Sequence, residues 1–498
     1  MADGEKRHVW RSRVRDRMRG RATPLFIFEH ATIPAASVWT GSRLWVEYFR
    51  TASLKPGDRV LLAIPPSPAW LMIFVACLWE DLTIVPVPPS SSSSTLEAMR
   101  RFDTRLAIAA AEGSGPAVVS PDRHGRPTQP IAPREATFAP SPETRLILST
   151  SGTCGKPTYA AISDRNLDAV LGSHIPELGL EEQDICLSTL PWTHAFGLII
   201  DLLTAIFAGA TVVRDPANGR DPSTLPALAD DWGVTRACMV PLQAAKLAES
   251  ENGRRFLTSL RGGVIGGAPV DTPLARILAT TRLRVGYGQT EASPGIALGR
   301  PGQWSDRTIG LTIGCETIID CHSHLLCRGD NVCDAVWSES VGLIPMRAGR
   351  WLDTGDLVSQ GPDGTMAFTG RADHAFKLSN GRLVNAPQLE RGLADALGGH
   401  ADVLITTWDH RTIDIMVTSS DAQTLGAVAA LGDEGLRRMA EPILGSLMRH
   451  LGRCTVRADD DVERDVKGQF VRPQRYAHPT QDNYIGCKGP SPSFLYAA

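Results

Sequence analysis

The chain has 498 residues, 43% of them apolar and 21% charged, and a formal net charge of −3. That length exceeds one ordinary hydrophobic core, so a soluble globular protein of two or more domains is expected. The near-neutral charge excludes a field that would gather nucleic acid or an anionic membrane, and the longest apolar run, Ala69–Trp79, is far too short to span a bilayer.

The opening residues do not read as a signal peptide. Arg7–Arg21, RHVWRSRVRDRMRGR, carries Asp16 and apolar residues at helical spacing, which predicts a solvated amphipathic helix in place of a basic arm. Short β-branched or apolar runs then alternate with longer stretches of helical period. RVLLAI (Arg59–Ile64), TIVPV (Thr83–Val87), RLILST (Arg145–Thr150), ICLSTL (Ile185–Leu190), ATVVR (Ala210–Arg214) and GGVIGG (Gly262–Gly267) read as strands. SPAWLMIFVACLWE and DLLTAIFAGA read as helices between them, while Ser90–Thr95 and the Pro-rich PREATFAPSPE read as surface loops. This alternation predicts an α/β fold with largely parallel sheets covered by helices.

From about Thr308 the texture changes to close-set short strands and Gly turns, which predicts a β-ribbon. Cys315, Cys321, His322, His324, Cys327 and Cys333 fall in this stretch and raise the question of a zinc site. Their spacing matches no zinc finger and the segment alternates like paired strands, so small apolar side chains on a ribbon are the expectation. Ten cysteines without any C-x-x-C pair predict reduced thiols and a cytoplasmic setting. After Arg371 come two strand runs, ADVLITTW and TIDIMVTSS, and a long helix near EGLRRMAEPILGSLMRHL, which predicts a small C-terminal α+β domain.

STSGTCGKPT (Ser149–Thr158) places hydroxyls and glycines directly behind the apolar run Leu146–Leu148. Such a loop exposes backbone N–H groups and hydroxyl donors able to wrap phosphate oxygens, with Gly152 and Gly155 permitting close main-chain approach. It is not a Walker loop, because the G-K-[ST] ending is absent. VGYGQTEASPG (Val285–Gly295), RWLDTGDLV (Arg350–Val358) and TGRADHAFKLSNGRLVNAPQLE (Thr369–Glu390) follow in that order.

Together these four stretches resemble the ordered motif set of the adenylate-forming superfamily, which includes acyl- and aryl-CoA synthetases, peptide-synthetase adenylation domains and firefly luciferase. The likeness runs from about Leu54 to Arg472. It implies that Ser151, Gly152, Thr153 and Gly155 grip phosphate, that the Thr290 hydroxyl meets the α-phosphate, and that Glu291 holds Mg²⁺, a hard cation suited by oxygen. It implies that Asp356 accepts the ribose hydroxyls of ATP, that Arg371 pairs with ribose or phosphate, and that Tyr287, Gly288 and Gln289 lie against the nucleotide. LPWTHAFGL (Leu190–Leu198) resembles the family's P-x-x-H-x-x-G segment, which sets Trp192 and His194 at the pocket entrance; GGAPV (Gly266–Val270) resembles the pocket wall, with Gly266, Gly267 and Ala268 lining it. The aspartate by which amino-acid-activating members hold a substrate ammonium has no counterpart in that stretch, so a carboxylic acid without an α-amino group, aromatic or acyl, is the expected substrate.

Two departures stand out. The phosphate loop of most members continues P-K-G, whereas Pro157 here precedes Thr158 and Tyr159, with Lys156 ahead of it. The family's C-terminal G-K-x-x-R becomes ERDVKGQFVR: Gly468 and Arg472 fit, but Gln469 occupies the lysine position and Lys467 stands before the glycine. Glutamine donates a hydrogen bond without neutralising charge, and loss of one transition-state donor costs about 10²–10³ in rate.

The resemblance implies a large N-terminal domain, residues 1–371, of two packed α/β subdomains plus a small β-barrel-like ribbon, and a small mobile lid, residues 372–498, hinged at Asp373 or His374. The implied reaction joins an acid to AMP from Mg·ATP with release of pyrophosphate, then transfers the acyl group to CoA or another thiol. A separate carrier protein is the alternative acceptor, since LGGHAD (Leu397–Asp402) lacks the attachment serine of a fused carrier. Two other readings stand beside it: ATP-dependent diazotisation of an aromatic amine with nitrite, and a degenerate, non-catalytic nucleotide-binding protein.

Overall fold

The computed structural model describes residues 9–19, 24–29, 31–110, 117–128, 132–150, 158–346, 349–372, 375–379, 383–407 and 411–459. Every apolar run read as a strand forms one: Arg59–Ala63, Thr83–Pro86, Thr144–Ser149, Ile185–Ser188, Thr211–Arg214 and Val264–Gly266. The chain divides into two compact units. The first comprises Met1–Ile318, Leu326–Leu352 and Gln360–Ala367; the second comprises Ile319–Leu325, Asp353–Ser359 and Phe368–Ala498.

The first unit is α/β. One of its sheets has eight strands, in which Val118–Val119, Leu106–Ala109, Arg59–Ala63, Thr83–Pro86 and Thr144–Ser149 run parallel. Tyr159–Ser163, Ala335–Ser338 and Gly342–Pro345 extend it antiparallel. A second sheet has five strands, with Pro24–Phe28, Thr211–Arg214, Ile185–Ser188 and Arg236–Cys238 parallel and Ala31–Pro34 antiparallel at its edge. Helix Pro68–Trp79 is apolar on every face, so it can be stable only when enclosed, and Trp70 through Leu78 are all buried. Ser67 starts it by accepting from the Trp70 N–H at 3.2 Å. The core around it takes side chains from both sheets, including Val60, Ile84 and Leu146 from one and Phe26 and Val212 from the other.

The Arg-rich start folds as helix Val9–Arg19, which buries Trp10, Val14 and Met18, the apolar stripe its spacing predicted. Two expectations change. Ser90–Thr95 is no plain loop: Ser91 accepts from the Ser94 N–H and caps helix Ser92–Arg101, because serine is a strong N-cap residue as well as a loop residue. DLLTAIFAGA is only partly α-helical; a π-helix, Phe196–Leu203, precedes a short α-helix, Thr204–Ala208.

The second unit is α+β. Asp402–Thr406, Ile413–Thr418 and Leu451–Val456 form a three-stranded sheet, and helices Ala386–Ala396 and Ala422–Leu444 share an apolar core with it through Leu393, Val403, Ile405, Ile415, Leu436 and Ala440. The long helix begins earlier than the sequence suggested, at an Asp421 cap, and breaks at Gly432, whose φ of 63° leaves helical geometry. No described helix is long and apolar enough to cross a membrane.

Candidate functional site

In the first unit, strands Ile185–Ser188, Arg236–Cys238, Val264–Gly266 and Arg284–Tyr287 follow one another in parallel, the middle pair joined through the bridges Arg236–Gly262 and Met239–Ile265. Loops leaving one carboxyl edge therefore carry His194, Gly267 and Ala268, and the Gly288–Glu291 segment, the kind of edge at which α/β sheets bind ligands. Glycine is required at two points. A Cβ on Gly266 would stand 2.7 Å from the Gly286 carbonyl oxygen, so a bare backbone lets strand Arg284–Tyr287 lie this close, while Phe196 Cε1 at 3.6 Å is at ordinary contact distance. A Cβ on Gly288 would stand 1.5 Å from the Pro294 carbonyl oxygen, so only glycine permits the tight turn that follows.

That turn presents Thr290 and Glu291, both partly exposed, on one 3₁₀ turn, Thr290–Ala292. It closes through Gly295 N–H to the Ala292 carbonyl at 2.9 Å and Ile296 N–H to the Tyr287 carbonyl at 3.0 Å, with Ser293 left-handed at φ 58°. The 3₁₀ turn packs against strand Tyr159–Ser163, which leaves the hydroxyl-rich loop. Ser151, Gly152, Thr153, Gly155, Lys156 and Pro157 lie outside the described residues, but the ends of their loop are pinned together. Thr150 N–H donates to the Thr158 carbonyl at 2.8 Å, and the two hydroxyls are 2.5 Å apart.

His194 is exposed, whereas Trp192 is only 1% exposed and packs in the hydrophobic core. Its Nε1 donates to Ser188 Oγ at 3.1 Å, its ring lies 4.9 Å from that of Trp70, and the Arg214 guanidinium lies 5.2 Å from its centroid. Ser188 Oγ in turn donates to Asp201 Oδ2 at 2.6 Å, and Arg214 donates to the Ser188 and Leu190 carbonyls. Burial pushes the Asp201 carboxyl up to about 7 against the pull of Ser188 and Arg214, and lowers Arg214 to about 10. The sequence reading passed over Asp201, Arg214 and Ser188, because nothing short of the fold shows that they converge.

In the second unit, Asp356 is 8% exposed and its Oδ1 accepts from Arg371 Nη1 at 2.7 Å. Arg371 Nη1 also donates to the Thr354 carbonyl at 3.0 Å, and Thr354 Oγ1 accepts from the Asp356 N–H at 3.1 Å. The two residues expected to meet the ribose thus meet each other. Asp373, His374, Lys467, Gln469 and Arg472 lie outside the described residues.

No cluster of three metal-ligating side chains occurs among the described residues. Cys327 and Cys333 are buried, Cys321 is exposed, and His324 Nδ1 stands 3.3 Å from Asp353 Oδ2. Mg²⁺ asks for less: one or two carboxylates, with water and phosphate oxygens completing its shell. A partly exposed Glu291 on the same turn as the Thr290 hydroxyl fits that demand.

The family model for AMP-binding enzymes matches residues 23–325. Anthranilate–CoA ligase from Pseudomonas aeruginosa is 26% identical over 374 residues, covering 68% of this chain and 71% of that protein. Feruloyl-CoA synthase from Amycolatopsis sp. is 24% identical over 395 residues, covering 73% and 78%. ATP-bound MatB from Rhodopseudomonas palustris superposes with a TM-score of 0.74 at 17% identity, over 93% of this chain and 96% of the other, a likeness of fold. The chain belongs to the AMP-binding enzymes of the adenylate-forming superfamily.

Proposed function

We propose that the protein activates an aromatic carboxylic acid with ATP and passes the acyl group to the thiol of CoA. The observation that carries this reading is the turn Gly288–Gly295, which sets Thr290 and Glu291 at the carboxyl edge shared with His194 and the Gly266–Ala268 wall. Relatives named for anthranilate and for ferulate support an aromatic acid. Asp201, an acid on the π-helix that follows His194, is 4% exposed and engaged by Ser188, so it does not offer the carboxylate face an α-ammonium would need.

In the first step a carboxylate oxygen of the acid attacks the α-phosphorus of ATP, and the bond to the β-phosphate oxygen breaks, releasing pyrophosphate. In the second step the thiolate attacks the acyl carbon and AMP leaves. The chain's task is alignment and charge stabilisation. Thr290 Oγ1 donates to the α-phosphate, the loop Ser151–Gly155 grips phosphate, and His194 stands at the entrance for the acid. Asp356 and Arg371 hold the ribose, and the segment from residue 372 acts as the lid. Mg²⁺ bound at Glu291 would offset phosphate charge. Gln469 donates where relatives of the family place a lysine cation, with Lys467 the nearest cation in sequence.

Pyrophosphate exchange into ATP across a panel of aromatic and aliphatic acids tests the reading. Exchange dependent on an aromatic acid is expected. Exchange with none of the acids, or AMP formation only with nitrite plus an aryl amine, would overturn it.

A further inference from the structure

The stretch Asp330–Asp334, DNVCD, immediately precedes strand Ala335–Ser338. In the structure it grips the Thr290–Gly295 turn at both ends. The Cys333 N–H donates to the Glu291 carbonyl at 2.8 Å, and Asn331 Nδ2 donates to the Gly295 carbonyl at 2.7 Å. Asn331 is 1% exposed, so its bond to Gly295 is made away from competing water. The buried His174 ring backs the same point: a Cβ on Gly295 would stand 2.2 Å from His174 Cε1.

The stretch is itself anchored elsewhere. Asn166 Nδ2 donates to the carbonyls of Asp330 and Val332, both at 2.8 Å, and Ser163 Oγ donates to Asp334 Oδ2 at 2.5 Å. Arg165 pairs with Asp330 and Asp334. Asn166 is fixed in turn, since its Oδ1 accepts from the Ser163 N–H at 2.8 Å in the capping box of helix Asp164–Leu178. Ser163 ends strand Tyr159–Ser163, which carries the chain out of the Ser151–Pro157 loop. One path of hydrogen bonds and intervening backbone thus runs from strand Tyr159–Ser163, through Ser163, Asn166 and the Asp330–Val332 main chain, to Asn331 and the turn that bears Glu291.

We infer that Asn331 is a positioning residue: through Gly295 it holds the turn that bears Glu291, and with it the carboxylate that would take the magnesium of Mg·ATP. The inference rests on the reading of Glu291 as the magnesium carboxylate. Cys333 contributes only its backbone. Burial first, and then the Glu291 charge, push its thiol up to about 12, which leaves it an inert side chain.

The test uses the full chain with Asn331→Leu, which keeps the branched shape and removes the donor, and Asn331→Ala, which cannot overpack. Mn²⁺ serves as probe, titrated as MnCl₂ with ATP and read by water-proton relaxation enhancement; metal-free ATP binding in EDTA is read by calorimetry. Loss of one buried hydrogen bond predicts an apparent Mn²⁺ affinity weaker by about tenfold in both variants, with metal-free ATP affinity unchanged. Unchanged Mn²⁺ affinity in variants that still melt cooperatively would overturn the inference and leave the proposed function standing. Variants that lose Mn²⁺ and metal-free ATP binding alike, or that melt without a cooperative transition, would show a merely structural role and also overturn it. No Mn²⁺ uptake by the unsubstituted chain with ATP would overturn both.

Discussion

Asp201 shows what a single enclosed side chain does to this protein. Its carboxyl is raised to about 7, first by burial, so the folded chain holds its proton more tightly than the unfolded chain does. The stability this contributes is full below the unfolded value near 4 and is lost as pH rises through about 7. His174 slopes the other way: burial lowers it to about 4, so its contribution is lost as pH falls from about 6.5 towards 4. Asp201→Asn should therefore flatten the fall in melting temperature between pH 5 and pH 8, an effect worth a few kcal/mol at most. An unaltered pH slope in differential scanning calorimetry would contradict the assignment. A second side chain, Gln469, carries a prediction from sequence alone. Gln469→Lys should speed adenylation by about 10²-fold if a missing cation limits the first step, as pre-steady-state pyrophosphate release would show. No gain would transfer the role to Lys467.

Candidate residues for the nucleotide could be named because the order of their motifs along the chain is itself a pattern. Thr290, Glu291, Asp356 and Arg371 could be named from their motifs. Asn331 and Arg214 could not, because hydrogen bonds to backbone carbonyls leave no signature in the identity of the residue that accepts them; Asp201 could not, because only the fold brings the Ser188 hydroxyl to its carboxylate.

At the scale of elements, the strands were legible wherever apolar runs were short and β-branched, since burial on both faces of a parallel sheet demands them. Helices were harder. The all-apolar Pro68–Trp79 announced a buried helix, but nothing in LPWTHAFGLIIDLL separates a π-helix from an α-helix. Tertiary demand decides there, since this element must present Phe196 to Gly266 and Asp201 to Ser188. The turn after Tyr287 is the element on which activity depends most. Gly288→Ala would force a Cβ into the Pro294 carbonyl and displace Thr290 and Glu291, so a drop of about 10²-fold in pyrophosphate exchange is expected. Wild-type exchange by that variant would mean that the turn does not position the reacting groups.

At the scale of the molecule, the change of texture after Thr308 marked a real change of construction, from sheets of parallel strands to close-set antiparallel ones. A linear reading could not show that the second compact unit also takes Ile319–Leu325 and Asp353–Ser359, because strands that join two distant stretches do so through pairing and not through sequence proximity. The central claim, attack of a carboxylate on the α-phosphorus, concerns the whole enzyme and is tested most directly by isotope transfer. The protein should be incubated with ATP, Mg²⁺, CoA and an aromatic acid carrying ¹⁸O in both carboxylate oxygens, and the AMP analysed by mass spectrometry. One ¹⁸O per AMP, together with acyl-CoA, is the predicted result; unlabelled AMP, or ADP as the nucleotide product, would contradict it.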